Sequence, residues 1–85
     1  MEMVGIGFGN SVRISGIDAV VQPDGAPVKR LIQEARLVNK VVDATQGRKT
    51  RAVIVMTSGA IILSALQPDT IAARANSAAA NKEEE

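Results

Sequence analysis

Arg51-Ala52-Val53-Ile54-Val55-Met56 and Ala60-Ile61-Ile62-Leu63-Ser64-Ala65-Leu66, joined by Thr57-Ser58-Gly59, decide how this chain folds. The three linking residues suit a hairpin. Neither flanking run alternates: Val53 to Met56 are all apolar, and so are Ile61 to Leu63. Strands of that kind are buried on both faces, so the sheet they build needs cover on two sides. One strong helix and one weaker one are on hand to provide it. A neighbouring subunit is therefore the expected source of the missing cover.

Upstream lies the stronger helix, expected over residues 26–40. Asp24 or Gly25 can cap it, and Pro27 sits in its first turn, where a missing N–H costs nothing. Val28, Leu31, Ile32, Ala35 and Val38 follow helical spacing and read as a stripe facing the core. Lys29, Gln33, Arg36 and Lys40 fall within about 60° of one another on a different face, at 100° per residue. Leu37 points away from the core stripe and is a candidate contact with another subunit. Residues 41–45 read as a short strand and residues 46–50 as a loop.

Further out, residues 1–8, 11–15 and 17–22 read as short strands. In the middle one Val12 and Ile14 oppose Ser11, Arg13 and Ser15. Pro68 opens a second, short helix, with Asp69 favourable to its dipole. Beyond residue 75 the composition turns to Ala, Asn and Ser and ends in Glu83-Glu84-Glu85. Three carboxylates at a helix C-terminus are unfavourable, and residues 76–85 read as a disordered tail. The expectation is one α/β (α+β) domain over residues 1–75, with a small antiparallel-rich sheet and one main helix.

The counts point the same way. The chain has 85 residues, 46% of them hydrophobic, with one Phe and neither Trp nor Tyr. A chain this short buries only about 60–65% of its unfolded surface, which leaves a lone monomer marginal. Without aromatic bulk, a disulfide or a metal, the usual remedy is oligomerisation. The absence of Cys and His removes thiolate nucleophiles, imidazole bases and the usual transition-metal ligands. No cofactor is expected, and an enzyme is the least expected class. No apolar run approaches the length of a membrane span, and the first residues do not read as a basic region followed by a signal core. The expected location is the cytoplasm.

Net charge is only +1, but its distribution is uneven. Between residues 29 and 51 there are seven basic residues (Lys29, Arg30, Arg36, Lys40, Arg48, Lys49, Arg51) and two acidic ones (Glu34, Asp43), a balance of +5. The acidic C-terminus masks it in the total. The helix group Lys29/Arg36/Lys40 and the loop group Arg48/Lys49/Arg51 are separated by one short strand, so both could share a surface. Arginine's planar fork suits phosphate oxygens. The glycine motifs carry less. In Gly5-Ile6-Gly7-Phe8-Gly9-Asn10 the third glycine of a dinucleotide fingerprint is missing and no helix follows, so a turn and bulge between strands is the better reading. Gly47-Arg48-Lys49-Thr50 lacks the leading glycine and the following helix of a P-loop. A lone Asp43 beside a basic loop more often caps a turn or pairs with an Arg than acts as acid or base.

Four segments together carry a family resemblance: 6–10 (Ile-Gly-Phe-Gly-Asn), 26–36 (from Ala26-Pro27-Val28 to Arg36), 43–53 (Asp43-Ala44-Thr45-Gln46-Gly47-Arg48-Lys49-Thr50-Arg51-Ala52-Val53) and 62–70 (Ile62 to Thr70). They resemble RemA, a family of small bacterial regulators of extracellular-matrix (biofilm) genes, over about residues 4–74. The resemblance implies a double-stranded-DNA-binding transcriptional regulator, usually an activator. It also implies a LytTR-like fold, assembly into ring-shaped homo-oligomers, and DNA held on the basic surface of the ring. Arg48 and Arg51 match basic family positions, and Lys49 matches one that is Arg or Lys. Pro27 matches a family proline at the helix start. Family members carry an Arg in the turn where this chain has Gly16; Arg13, three residues earlier, is the available substitute. The alternative is an interaction module that uses the same basic face for an acidic protein or a nucleotide.

Overall fold

The computed structural model describes residues 2–84. Its elements are β1 (Met3–Gly7), β2 (Asn10–Arg13), a single 3-10 turn (Ile14–Gly16), β3 (Ile17–Val21), α1 (Ala26–Leu37), β4 (Val41–Asp43), β5 (Ala52–Met56), β6 (Ile61–Ser64) and α2 (Pro68–Glu84). β1 and β2 form a two-stranded antiparallel ribbon, and the other strands form a second sheet in the order β3-β5-β6-β4. β5 is antiparallel to both β3 and β6, whereas β4 lies parallel to β6. The result is a small α+β fold with a mixed, antiparallel-rich main sheet.

Side chains of β5 alternate between two cores. Val53 packs with Ala35, Ile61 and Leu63 beneath α1, supported by Val28 and Ile32. Ala52 and Ile54 face the other way, into a cluster with Val4, Ile6 and Val12 of the ribbon and Ile71 of α2. Val53 and Ile54 are both fully buried. Their double burial was legible in the sequence, but the source of the cover was not: the ribbon and α2 supply it within the same chain. A strand pair that reads as part of the sheet is in fact its lid. The opposite expectation arose because a sequence does not reveal whether consecutive hairpins extend one sheet or fold over it.

Helix α1 is shorter than expected. It ends at Leu37 because Asn39 adopts a left-handed backbone (φ 59). Two reverse hydrogen bonds close its last turn, from Asn39 N–H to the Arg36 carbonyl (3.2 Å) and from Lys40 N–H to the Ala35 carbonyl (2.8 Å). That pair of bonds is a Schellman motif, which asparagine tolerates better than most residues. Two corrections follow. Lys40 is not on the helix and does not continue the row of Lys29 and Arg36. The core stripe is also narrower than its spacing suggested: Ala35 is buried, but Leu31 and Val38 are 42% and 61% exposed. The second helix, expected to be short, runs 17 residues through residues 76–84. Arg74 ties it to β1 by donating from Nη1 to the Gly5 carbonyl at 3.2 Å.

Candidate functional site

The connection between β4 and β5 has to cross the end of β6, because β6 lies between them. It leaves β4 after Asp43, arches over the C-terminal end of β6 and enters β5 at Ala52. Hydrogen bonds pin it along its length. Ala44 N–H donates to the Leu63 carbonyl (2.9 Å), Arg48 N–H to the Thr45 carbonyl (3.0 Å) and Arg51 N–H to the Ser64 carbonyl (2.8 Å). Between Thr45 and Arg48 the chain reverses through Gln46 and Gly47, both at positive φ (54 and 80). Such a turn suits glycine and costs a residue with a Cβ about 1–2 kcal/mol. The loop bearing Arg48, Lys49 and Arg51 is therefore a fixed arch.

Thr45, itself buried, sets the start of the arch. Its hydroxyl donates to Asp43 Oδ1 at 2.6 Å and its N–H to the same oxygen at 2.9 Å. These bonds, the hydroxyl's first, hold the Asp43 carboxyl below the usual carboxylate range; the positive charge of Arg36 adds to the effect and desolvation opposes it. Asp43 thus takes the turn-capping role, with Arg36 as a charged neighbour.

Arg48, Lys49 and Arg51 all line one cleft of about 420 Å³. Its other walls are Gly7 and Phe8 from the tip of the ribbon and Ala65 and Leu66 from the end of β6. Lys49 and Arg51 also border a neighbouring depression lined by Gln22, Pro23 and Asp24. What brings the ribbon tip to the arch is Ser64. Its buried hydroxyl donates to the Ile6 carbonyl at 2.8 Å and accepts from Leu66 N–H at 3.1 Å. Sequence inspection singled out neither Ser64 nor Phe8. Only the rarity of Phe8, the single aromatic in the chain, set it apart.

The remaining basic residues are placed elsewhere. Arg13 sits opposite Met3, at the end of the ribbon away from its tip. Lys40 lies at the end of β6 remote from the arch, donating from Nζ to the Ser58 carbonyl at 3.2 Å. Lys29 and Arg36 ride on the exposed side of α1. The three loop cations converge, Lys40 and Arg13 lie toward the opposite end of the sheet, and Arg36 on α1 is near enough to the foot of the arch for its charge to act on Asp43. Pro27 is at the exposed start of α1 and Leu37, 85% exposed, at its end. Among the described residues no cluster of acidic side chains could hold a metal ion, and no helix is long and apolar enough to cross a membrane.

By class, this is a small α+β domain whose loop cations converge on a single cleft at one end of a four-stranded sheet. By family, the chain belongs to the RemA-like group, described as extracellular matrix regulatory protein A-like, whose profile matches residues 3–75. It is 58% identical to a protein of Alkaliphilus metalliredigens, over 100% of this chain and 91% of that one. It is 55% identical to one of Dictyoglomus thermophilum, over 100% of this chain and 98% of that one. A Bacillus cereus relative is 55% identical over 99% of this chain and 92% of its own. All three are named only as candidate regulatory proteins.

Proposed function

We propose that the protein is a transcriptional regulator that binds double-stranded DNA through the arch carrying Arg48, Lys49 and Arg51. The observation behind this reading is the convergence of those three cations on one cleft, on a loop hydrogen-bonded at both ends. Like charges held that close repel one another until an anion or water screens them. A pre-ordered loop loses little entropy when a phosphate backbone docks. The family description, a matrix regulator, favours DNA as the polyanion. Lys29, Arg36 and Arg13 are secondary phosphate contacts in this reading, whereas Lys40 is held at the Ser58 carbonyl, at the far end of the sheet.

Copies of the chain act together as a ring-shaped homo-oligomer, with a domain likeness to LytTR-type DNA binders and activation as the sign of regulation. Four exposed apolar residues, Leu31, Leu37, Val38 and Val42, offer surface for packing between copies. Weak contacts from each copy then sum through avidity. The arrangement suits binding, and no turnover is proposed.

The deciding experiment is DNA binding measured across a salt series. Log K falls steeply with log salt, and Arg48→Ala lowers that slope by about 1 per DNA-contacting subunit. A flat salt response, or unchanged binding by an Arg48→Ala/Arg51→Ala double variant, overturns the reading. Binding of an acidic protein in place of DNA would favour the interaction-module alternative.

A further inference from the structure

The ribbon tip holds an unusual residue in an unusual conformation. Gly7 and Asn10 pair across the tip, so Phe8 and Gly9 are its two central residues. Both are at positive φ, 54 and 78. Two-residue hairpins of this kind favour Asn-Gly, because asparagine tolerates the left-handed region. Phenylalanine there costs about 1–2 kcal/mol relative to glycine. Its ring is not recovering that cost in a core, since Phe8 is 50% exposed. Strain of this sort persists where the surroundings fix it, and it concentrates at functional positions. Here the surroundings do fix it: Asn10 Nδ2 donates to the Gly7 carbonyl at 3.1 Å, and Ser64 clamps Ile6 just behind the tip.

The ring shares its cleft with Arg48, Lys49 and Arg51. An apolar side chain beside three cations is a poor match for a protein core and a good match for duplex DNA. DNA presents phosphates for the cations, and within a groove it presents sugar and base faces for a ring.

We propose that Phe8 is the apolar contact of the DNA-binding surface: its ring enters the groove between phosphates held by the arch and wedges against a base step, bending the duplex. This rests on the DNA-binding reading above. Wedges of Phe, Leu, Ile, Met or Pro unstack a base step partially and kink the duplex, and flexible pyrimidine–purine steps yield most easily. Phe8 therefore contributes sequence preference through deformability, with no hydrogen bond to a base.

The test compares full-length wild type, Phe8→Ala, Phe8→Leu and Arg48→Ala on a duplex labelled at both ends for energy transfer. Light scattering is run on every variant. Phe8→Ala keeps the wild-type fold and oligomeric state, because the ring it removes is half exposed. It weakens binding about tenfold, within the range for loss of one base contact. It leaves the salt slope unchanged, since no charge is removed, and it abolishes the shortening of the end-to-end distance. Phe8→Leu retains part of the bend. Arg48→Ala shows the converse, with a lowered salt slope. If wild type binds DNA while Phe8→Ala matches its affinity and bend, this inference falls and the arch reading stands. If Phe8→Ala changes the oligomeric state, Phe8 is a subunit contact and the inference falls as well. If wild type does not bind DNA at all, the underlying reading is what fails.

Discussion

Thr45 gives both its hydroxyl and its backbone N–H to one oxygen of Asp43, at 2.6 and 2.9 Å. This doubly held oxygen fixes the direction in which the chain leaves β4, and so the course of the arch over β6. Thr45→Val preserves the side-chain volume and removes the hydroxyl bond. It is expected to cost about 1–3 kcal/mol, read as a lower urea midpoint with an unchanged m-value.

The same pair gives a pH dependence with a definite sign. The folded state holds the Asp43 carboxyl below its unfolded value of about 4. The folded protein therefore binds its proton less readily than the unfolded chain does. The resulting stability is fully present above the unfolded value and is lost as pH falls through the folded one. The gap in stability between wild type and Asp43→Asn should be constant from neutral pH to about pH 5, then narrow below pH 4. Urea unfolding at several pH values measures it, and a gap that widens on acidification would contradict the assignment.

Ser64→Ala leaves the Ile6 carbonyl and the Leu66 N–H without their buried partner. The expected destabilisation is about 1–3 kcal/mol. Because the lost bonds join ribbon to sheet, hydrogen exchange at the ribbon should accelerate more than exchange in β5 or β6.

The exposed end of α1 should matter for assembly and little for folding. Leu37→Lys changes a residue that is 85% exposed, so unfolding free energy should move by less than about 0.5 kcal/mol. Light scattering at micromolar concentration should register a smaller particle than wild type forms. An unchanged mass would remove Leu37 from the contact between copies.

Position separates the cations. Arg48→Ala and Arg51→Ala are expected to lower the salt slope of DNA binding, whereas Lys40→Ala should leave it nearly intact, because Lys40 reaches toward Ser58 at the far end of the sheet.

The sequence disclosed local features well. The hairpin around Ser58, the proline-started helix and the solvent-facing cationic loop follow from spacing, turn chemistry and charge, which act over a few residues. The end of α1 was misplaced because the 3.6-residue pattern continues through Val38 and Lys40, while the left-handed Asn39 breaks the backbone without breaking that pattern. Relations across the fold were hidden. Nothing in the order of residues shows β6 lying between β4 and β5, or the ribbon folding over the sheet. The cleft consequently could not be read in advance, although three of its lining residues could. Phe8 and Ser64 owe their importance to neighbours tens of residues away.

Ser64 uses both its side chain and its backbone in this contact set: the hydroxyl holds the ribbon at Ile6 and the carbonyl holds the arch at Arg51. One residue thus sets the span between the backbone of the ribbon tip and that of the arch. A caliper with its jaws locked discriminates by the width of what it grips and does not adapt to it. Raising the salt concentration should therefore weaken the grip without altering the footprint, and duplexes that already match that span, or yield to it at flexible steps, should be held in preference to stiff ones.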